Sequence, residues 1–266
     1  MSSRRLLLIL SGAAIAFVGA VCGIGGGLFA VPLLHYGFGL PLRRAVATSL
    51  CLVAANALAS TAAELLHEDS AFLWEVVGPL IGGALVGAQL GFFASKRLPE
   101  RALKGLFAAV MLVVGLRLVL SGDIPAEPTG FDGGYGLVRA GTVALVGVLA
   151  GTLSPLLGLG GGLIIVPGLL LLVPEIGGLG ARAASLGGAC VTSLRSLQLY
   201  ARERSVELGV APWFVAGALL GASLGVQVVH LDGVAAAGRR LLATIMFVTA
   251  WRFVRDARHG PVSSAP

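Results

Sequence analysis

The sequence predicts an all-α polytopic membrane protein made of two inverted repeats, each a glycine-broken hairpin or pair of short helices followed by three transmembrane helices. Three observations predict it. Of the 266 residues, 56% are hydrophobic and only 12% charged, and the mean hydropathy of +0.93 lies far above that of water-soluble domains. A glycine-rich break occurs twice at a fixed spacing. The basic residues fall in short clusters whose sidedness depends on how those breaks are threaded through a bilayer.

The first break is Gly23-Ile24-Gly25-Gly26-Gly27-Leu28, followed by Val31-Pro32, and the second is Gly158-Leu159-Gly160-Gly161-Gly162-Leu163, followed by Val166-Pro167. Glycine has the highest conformational entropy to lose in a helix, so such a cluster interrupts an apolar helix. At bilayer depth an interrupted backbone is tolerated only where protein, water or a polar solute satisfies its N–H and C=O groups. The alternative role for the glycines is close helix packing. A dinucleotide-binding loop is excluded because no strand precedes either cluster in a βαβ unit.

In chain order, apolar segments cover residues 6–39, 45–66, 72–95, 102–120, 137–173, 183–200, 208–230 and 235–254. Those at 6–39 and 137–173 carry the breaks and are too long for one straight crossing; the other six approach the ~20 residues that span a hydrocarbon core. Arg4-Arg5 before an apolar run resembles a signal peptide, but hydrophobicity resumes past the glycines and an uncleaved membrane segment is expected. The division is a first repeat at 1–120, a Gly-, Pro- and acid-rich linker at 121–136, a second repeat at 137–256 and a short tail at 257–266. The repeats match along their length. Ala47-Thr48-Ser49-Leu50 corresponds to Ala183-Ala184-Ser185-Leu186, Gly83, Gly87 and Gly91 to Gly217, Gly221 and Gly225, and Met111 and Arg117 to Met246 and Arg252.

Net charge of +6 does not point to nucleic acid, because the basic residues lie between apolar spans where they set topology. If each broken segment enters and returns on one side, Arg4, Arg5, Arg43, Arg44, Lys96, Arg97 and eight further basic residues share a face, while Glu68, Asp69, Glu75 and Glu175 collect opposite. If each crosses once, the asymmetry disappears. The positive-inside rule therefore favours hairpins, both termini cytoplasmic, and two halves of opposite orientation whose glycine tips approach the midplane from opposite surfaces.

The candidate substrate contacts are the exposed peptide groups of Gly23, Gly25, Gly26 and Gly27 and of Gly158, Gly160, Gly161 and Gly162. A polar stripe, Ser49, Asn56 and Ser60, repeats as Ser185, Thr192 and Ser196 and could donate hydrogen bonds to an anion's oxygens. Interhelical or i−4 carbonyl hydrogen bonding is the competing role. Thr48, Ser49 and Ser185 are the preferred members, because they lie near the start of the helix after each hairpin. Arg195 is a candidate oxyanion partner or a snorkelling surface residue. Cys22, Cys51 and Cys190 lack metal-ligand spacing and read as buried hydrophobes. No catalytic arrangement, metal cluster or cofactor motif is expected. Glu64 apart, no acid is expected in the membrane core, which disfavours a carboxylate proton relay and suits an anionic solute.

The duplicated GxGGG-L-x-x-x-P segment, the Ala47–Leu50 run, the small-residue span Gly82–Gly91 and the Lys96-Arg97-Leu98-Pro99 boundary resemble the TauE/SafE sulfite exporter family, also called the toluenesulfonate uptake permease family, over about residues 6–255. The resemblance implies a bacterial-type inner-membrane permease for sulfur-containing anions such as sulfite, thiosulfate, sulfoacetate or other organosulfonates. The family's glycine motif lands on Gly23–Gly27 and Gly158–Gly162 and its Thr-Ser pair on Thr48 and Ser49. The second half departs from it, with Ala184 in place of the Thr. The expected partners are a small anion and the lipid bilayer, with alternating access and export favoured; a passive anion channel and an uptake permease are the alternatives, and oligomeric state is left open.

Overall fold

The structure, a computed structural model, describes residues 3–21, 27–66, 72–120, 136–228 and 234–259. Gly23, Gly25, Gly26, Cys22, Glu68, Asp69 and the linker up to residue 135, all named above, lie outside the described residues. Among the described residues every regular element is a helix and there is no strand.

In the first half α1 (Ser3–Val21) precedes the first break, and α2 (Gly27–Pro32) follows it and runs into a π-helical turn, Leu33–Gly37. Then come α3 (Leu42–Leu65), α4 (Trp74–Arg97) and α5 (Glu100–Leu120). The second half repeats the order: α6 (Leu137–Leu157), the break, α7 (Gly162–Leu172), then α8 (Gly177–Arg202), α9 (Ala211–Val228) and α10 (Val234–His259). Each helix falls on one of the apolar segments. α8 begins earlier than hydrophobicity alone indicates, because the turn Pro174–Ile176 starts it directly after α7. α10 runs to His259. Among the described residues three helices are long and apolar enough to cross a membrane, those starting at Leu42, Trp74 and Leu137; a fourth span arises if the pair Gly162–Leu172 and Pro174–Arg202, bent by 106°, counts as one. This is fewer than the six lengths read from the sequence.

α3 and α8 form the centre. The buried residues of α3 include Leu42, Ala45 to Ser49, Leu50, Leu52 and Val53, and those of α8 include Ala181, Ala184, Thr192, Ser193 and Ser196. The N-terminal end of α3 meets the loop after α8, where Arg44 pairs with Glu207 at 3.2 Å and the Glu207 N–H donates to Thr48 Oγ1 at 3.1 Å. The two central helices are therefore antiparallel. On either side the halves exchange their fourth helix: α4 packs on α6, and α9 packs on α1. Both pairs are parallel. Gly83, Gly87 and Gly91 lie against the carbonyls of Ala144, Val148 and Thr152, while Gly217 and Gly221 lie against those of Ile9 and Ala13. α5 and α10 pack on each other, joined by Phe107 stacked on Phe253 with centroids 5.2 Å apart.

Gly83, Gly87 and Gly91 of α4 and Gly217 and Gly221 of α9 are thus packing positions, because a Cβ on any of these five would overlap the facing backbone. Gly87→Ala is expected to cost about 2 kcal/mol or more through overpacking against Val148 and Thr152. Gly82→Ala, on the same helix but facing open space, is expected to be neutral or mildly stabilising. Thermal unfolding of both variants in one detergent checks the pair.

One end of the molecule gathers the basic groups. Arg5 lies over the Trp213 ring, Arg43 donates to the carbonyls of Lys96 and Leu98, Lys96 pairs with Glu203, and Arg252 lies over Tyr36. At the other end Arg139, at the start of α6, pairs with Glu175 in the α7–α8 turn at 3.0 Å. α6 and α8 therefore begin at that same end.

Candidate functional site

The second break lies at the centre, between α3 and α8, and Gly27, which starts α2, comes up beside it. A Cβ on Gly27 would lie 2.5 Å from Val53 Cγ2, 3.5 Å from the Gly158 carbonyl oxygen and 3.7 Å from Leu159 Cα. Gly158 ends α6 in the left-handed conformation (φ +66°), and Gly160 (φ +70°) and Gly161 (φ +76°) hold it before α7 starts. Three left-handed positions in four residues require glycine, which is the physical reason for the poly-glycine composition.

This backbone turns a row of donors into one place. The Gly158 N–H is used, donating to Ser154 O at 2.7 Å, and the N–H groups of Ile164 and Ile165 both go to Gly161 O. Between them, the N–H groups of Leu159, Gly160, Gly161, Gly162 and Leu163 have no acceptor among the described residues. Gly160 and Gly161 are buried. Buried unpaired amides are uncommon, and successive N–H groups at a left-handed turn and a helix N-terminus form a concavity suited to an anion. The nearest neighbours of these glycines carry no formal charge.

The break carbonyls are held by hydroxyls from both central helices. Ser49 Oγ donates to Gly158 O at 3.2 Å, Ser185 Oγ to Gly162 O at 3.2 Å, and Thr192 Oγ1 to Gly160 O. The polar stripe thus does reach the break, but its protons are directed at peptide oxygens, and among the described residues the peptide N–H groups are the donors without an acceptor. Thr48 sits apart, fully buried at the basic end and accepting from Glu207. Asn56 is half-buried farther along α3. Arg195 is also apart: its guanidinium donates to Gln89 Oε1 at 2.7 Å and to Gln198 Oε1 at 2.8 Å, in a groove between α4 and α8 that no break residue lines. Ser196 hydrogen-bonds Ser154 at 3.3 Å, below the second break.

Two residues of the site escape sequence reading. Val53 is wedged between the breaks, against Gly27 and Gly160; at the same offset as Ser49 and Ser185 the second half has Ala189, 3.4 Å from where a Gly162 Cβ would be. A mismatch in volume inside an otherwise matched stripe was the available signal. Tyr200 donates to Pro155 O at 2.8 Å and to Ser95 Oγ at 3.1 Å, tying α8 to the end of α6 just before the break. A buried phenol needs such a partner, but which one is a matter of tertiary packing.

The fold and the site define a multi-pass helical membrane protein with a glycine-rich backbone break held between its two central helices. The profile of the family described as Sulfite exporter TauE/SafE matches residues 1–118 and 143–265. A "Probable membrane transporter protein" of Xylella fastidiosa (strain 9a5c) is 32% identical over 234 residues, 85% of each chain, and "Probable membrane transporter protein MJ0441" of Methanocaldococcus jannaschii is 28% identical over 200 residues, 73% of this chain and 71% of its own. "Probable membrane transporter protein MamO" of Paramagnetospirillum magneticum is 36% identical over 107 residues, 38% of this chain and 17% of its own. No solved structure matches. The chain belongs to the sulfite exporter TauE/SafE family and is a membrane transporter.

Proposed function

We propose that this transporter is a permease for a small sulfur-containing oxyanion (sulfite, thiosulfate, sulfoacetate or another organosulfonate) and that two inverted halves expose the site alternately, with export favoured. The single observation that supports it most is the run of five amides from Leu159 to Leu163, without an acceptor among the described residues, beside Gly27 of the other glycine segment. Amide N–H groups suit sulfonyl and sulfite oxygens, which are acceptors only. The equivalent groups at Gly23, Gly25 and Gly26 complete the site in this reading, and Ser49, Ser185 and Thr192 fix the loops that carry them.

Helix directions support inversion. α1 and α3 start at the basic end, while α6 and α8 start at the opposite one; the parallel pairs α1·α9 and α4·α6 then give every helix a counterpart of reversed direction. The basic end, where α1 begins and α10 finishes, is the cytoplasmic face of an inner membrane in this reading.

Flux of labelled sulfite, thiosulfate and sulfoacetate in proteoliposomes tests the proposal. Saturable movement of at least one is expected, with chloride excluded. At an imposed 100 mV, negative inside, a singly charged substrate gains ~2.3 kcal/mol on leaving, which favours its exterior concentration about fiftyfold at equilibrium. Correctly folded protein that moves none of the three would overturn the reading.

A further inference from the structure

The groove between α4 and α8 has a chemistry unlike that of the central site. It is open, about 820 Å³ in volume, and lined by Leu85, Val86, Leu90, Val191 and Leu194 around Gln89, Arg195 and Gln198. Leu85, Val86, Leu90 and Leu194 expose their side chains outward, as a lipid-facing surface does. Arg195 lies seven residues before the end of α8 at Arg202, ~10 Å below the basic end at 1.5 Å per residue.

A guanidinium at that depth costs free energy unless an anion accompanies it. Among the described residues none of the ion pairs involves Arg195. Its two partners are neutral amide oxygens, one from each helix wall. They hold the fork in the groove and leave its charge intact, and three of its five N–H donors remain available. The cluster also occurs once: Ala59, Ala62 and Ser223 stand at the corresponding places of the other repeats. A feature present in one half only is not part of a path that the two halves form together.

We propose that this groove is a binding site for an anionic phospholipid, with the phosphate on Arg195, steered by Gln89 and Gln198, and an acyl chain along the leucine and valine wall. Charge complementarity selects the headgroup, and the apolar lining with outward exposure selects a lipid over a soluble phosphate. Anionic lipid and guanidinium then neutralise each other near the cytoplasmic leaflet, where such lipids carry the surface charge.

The purified full-length transporter, in detergent, is titrated with phosphatidylglycerol, with phosphatidylcholine of the same chains and with inorganic phosphate, following thermal unfolding and lipid adducts by native mass spectrometry. Wild type is expected to prefer phosphatidylglycerol about tenfold and to ignore inorganic phosphate. Arg195→Gln is expected to lose the preference, and Leu90→Trp, which fills the groove without touching the guanidinium, to lose retention of both lipids. Should Arg195→Gln fail to fold, Leu90→Trp decides alone. Equal retention of both lipids by wild type, stabilisation by inorganic phosphate alone, or efficient Leu90→Cys cross-linking of two copies that excludes lipid would each overturn the proposal. None of these readouts uses transport, so their failure is separate from failure of the oxyanion reading.

Discussion

Replacing Gly160 by Ala is expected to bring oxyanion flux down to background, and trimming Val53 to Ala in the same chain is expected to restore part of it. Gly160 holds φ at +70°, which costs an L-residue about 1–2 kcal/mol. Its new methyl would also overlap Val53 Cγ1. The loop would relieve both by turning, and in turning would scatter the amides from Leu159 to Leu163. Val53→Ala removes the overlap and leaves the backbone cost, so recovery is partial. Flux per folded protein, with the amount of folded protein read by size-exclusion chromatography, separates transport from stability. A Gly160→Ala variant that transports as wild type would show that the loop conformation does not carry the substrate.

The second large effect is expected at Thr192. Its hydroxyl is the partner of the buried Gly160 carbonyl, and Thr192→Val keeps the shape while leaving that oxygen unpaired, a loss of about 1–3 kcal/mol. Flux is expected to fall about tenfold or more, whereas Thr192→Ser, which keeps the donor, is expected to retain most of it. Ser49→Ala should behave alike but more mildly, since the Ser49 proton lies closer to its own-helix carbonyl, Val46 O at 2.8 Å, than to Gly158 O at 3.2 Å, whereas Thr192 Oγ1 lies closer to the break carbonyl than to Ala189 O at 3.1 Å. Equal flux for Thr192→Val and Thr192→Ser would assign the hydroxyl no role in shaping the loop.

Much of this architecture was legible in the residues because its determinants are local. Left-handed backbone at Gly158, Gly160 and Gly161 can be read from glycine itself, and each apolar segment marks the place of a helix, though not its ends, as α8 shows by starting at Gly177. What was not legible depends on which surface meets which. The stripe Gly83, Gly87 and Gly91 is visible as a pattern, but its partner, α6 of the other half, is not. Ser49 on α3 and Ser185 and Thr192 on α8 read as members of a polar stripe repeated in both halves, yet a hydroxyl can donate to a solute or to a carbonyl, and only the position of the break carbonyls decides. Thr48 differs from its neighbour Ser49 by 100° around the helix, and that rotation sends it to Glu207. Arg195 carries no sequence sign of Gln89, 106 residues distant.

The exchange of fourth helices sets a timetable for biosynthesis. The glycine face of α4 meets its mate in α6 soon after it leaves the ribosome, but α1 must wait for α9, roughly 190 residues later, or ~10–40 s at ordinary elongation rates. During that delay the Gly12 face of α1 is covered by lipid or by an insertion factor. An N-terminal fragment ending in the linker should accordingly be degraded when made alone and persist when the C-terminal fragment is made beside it.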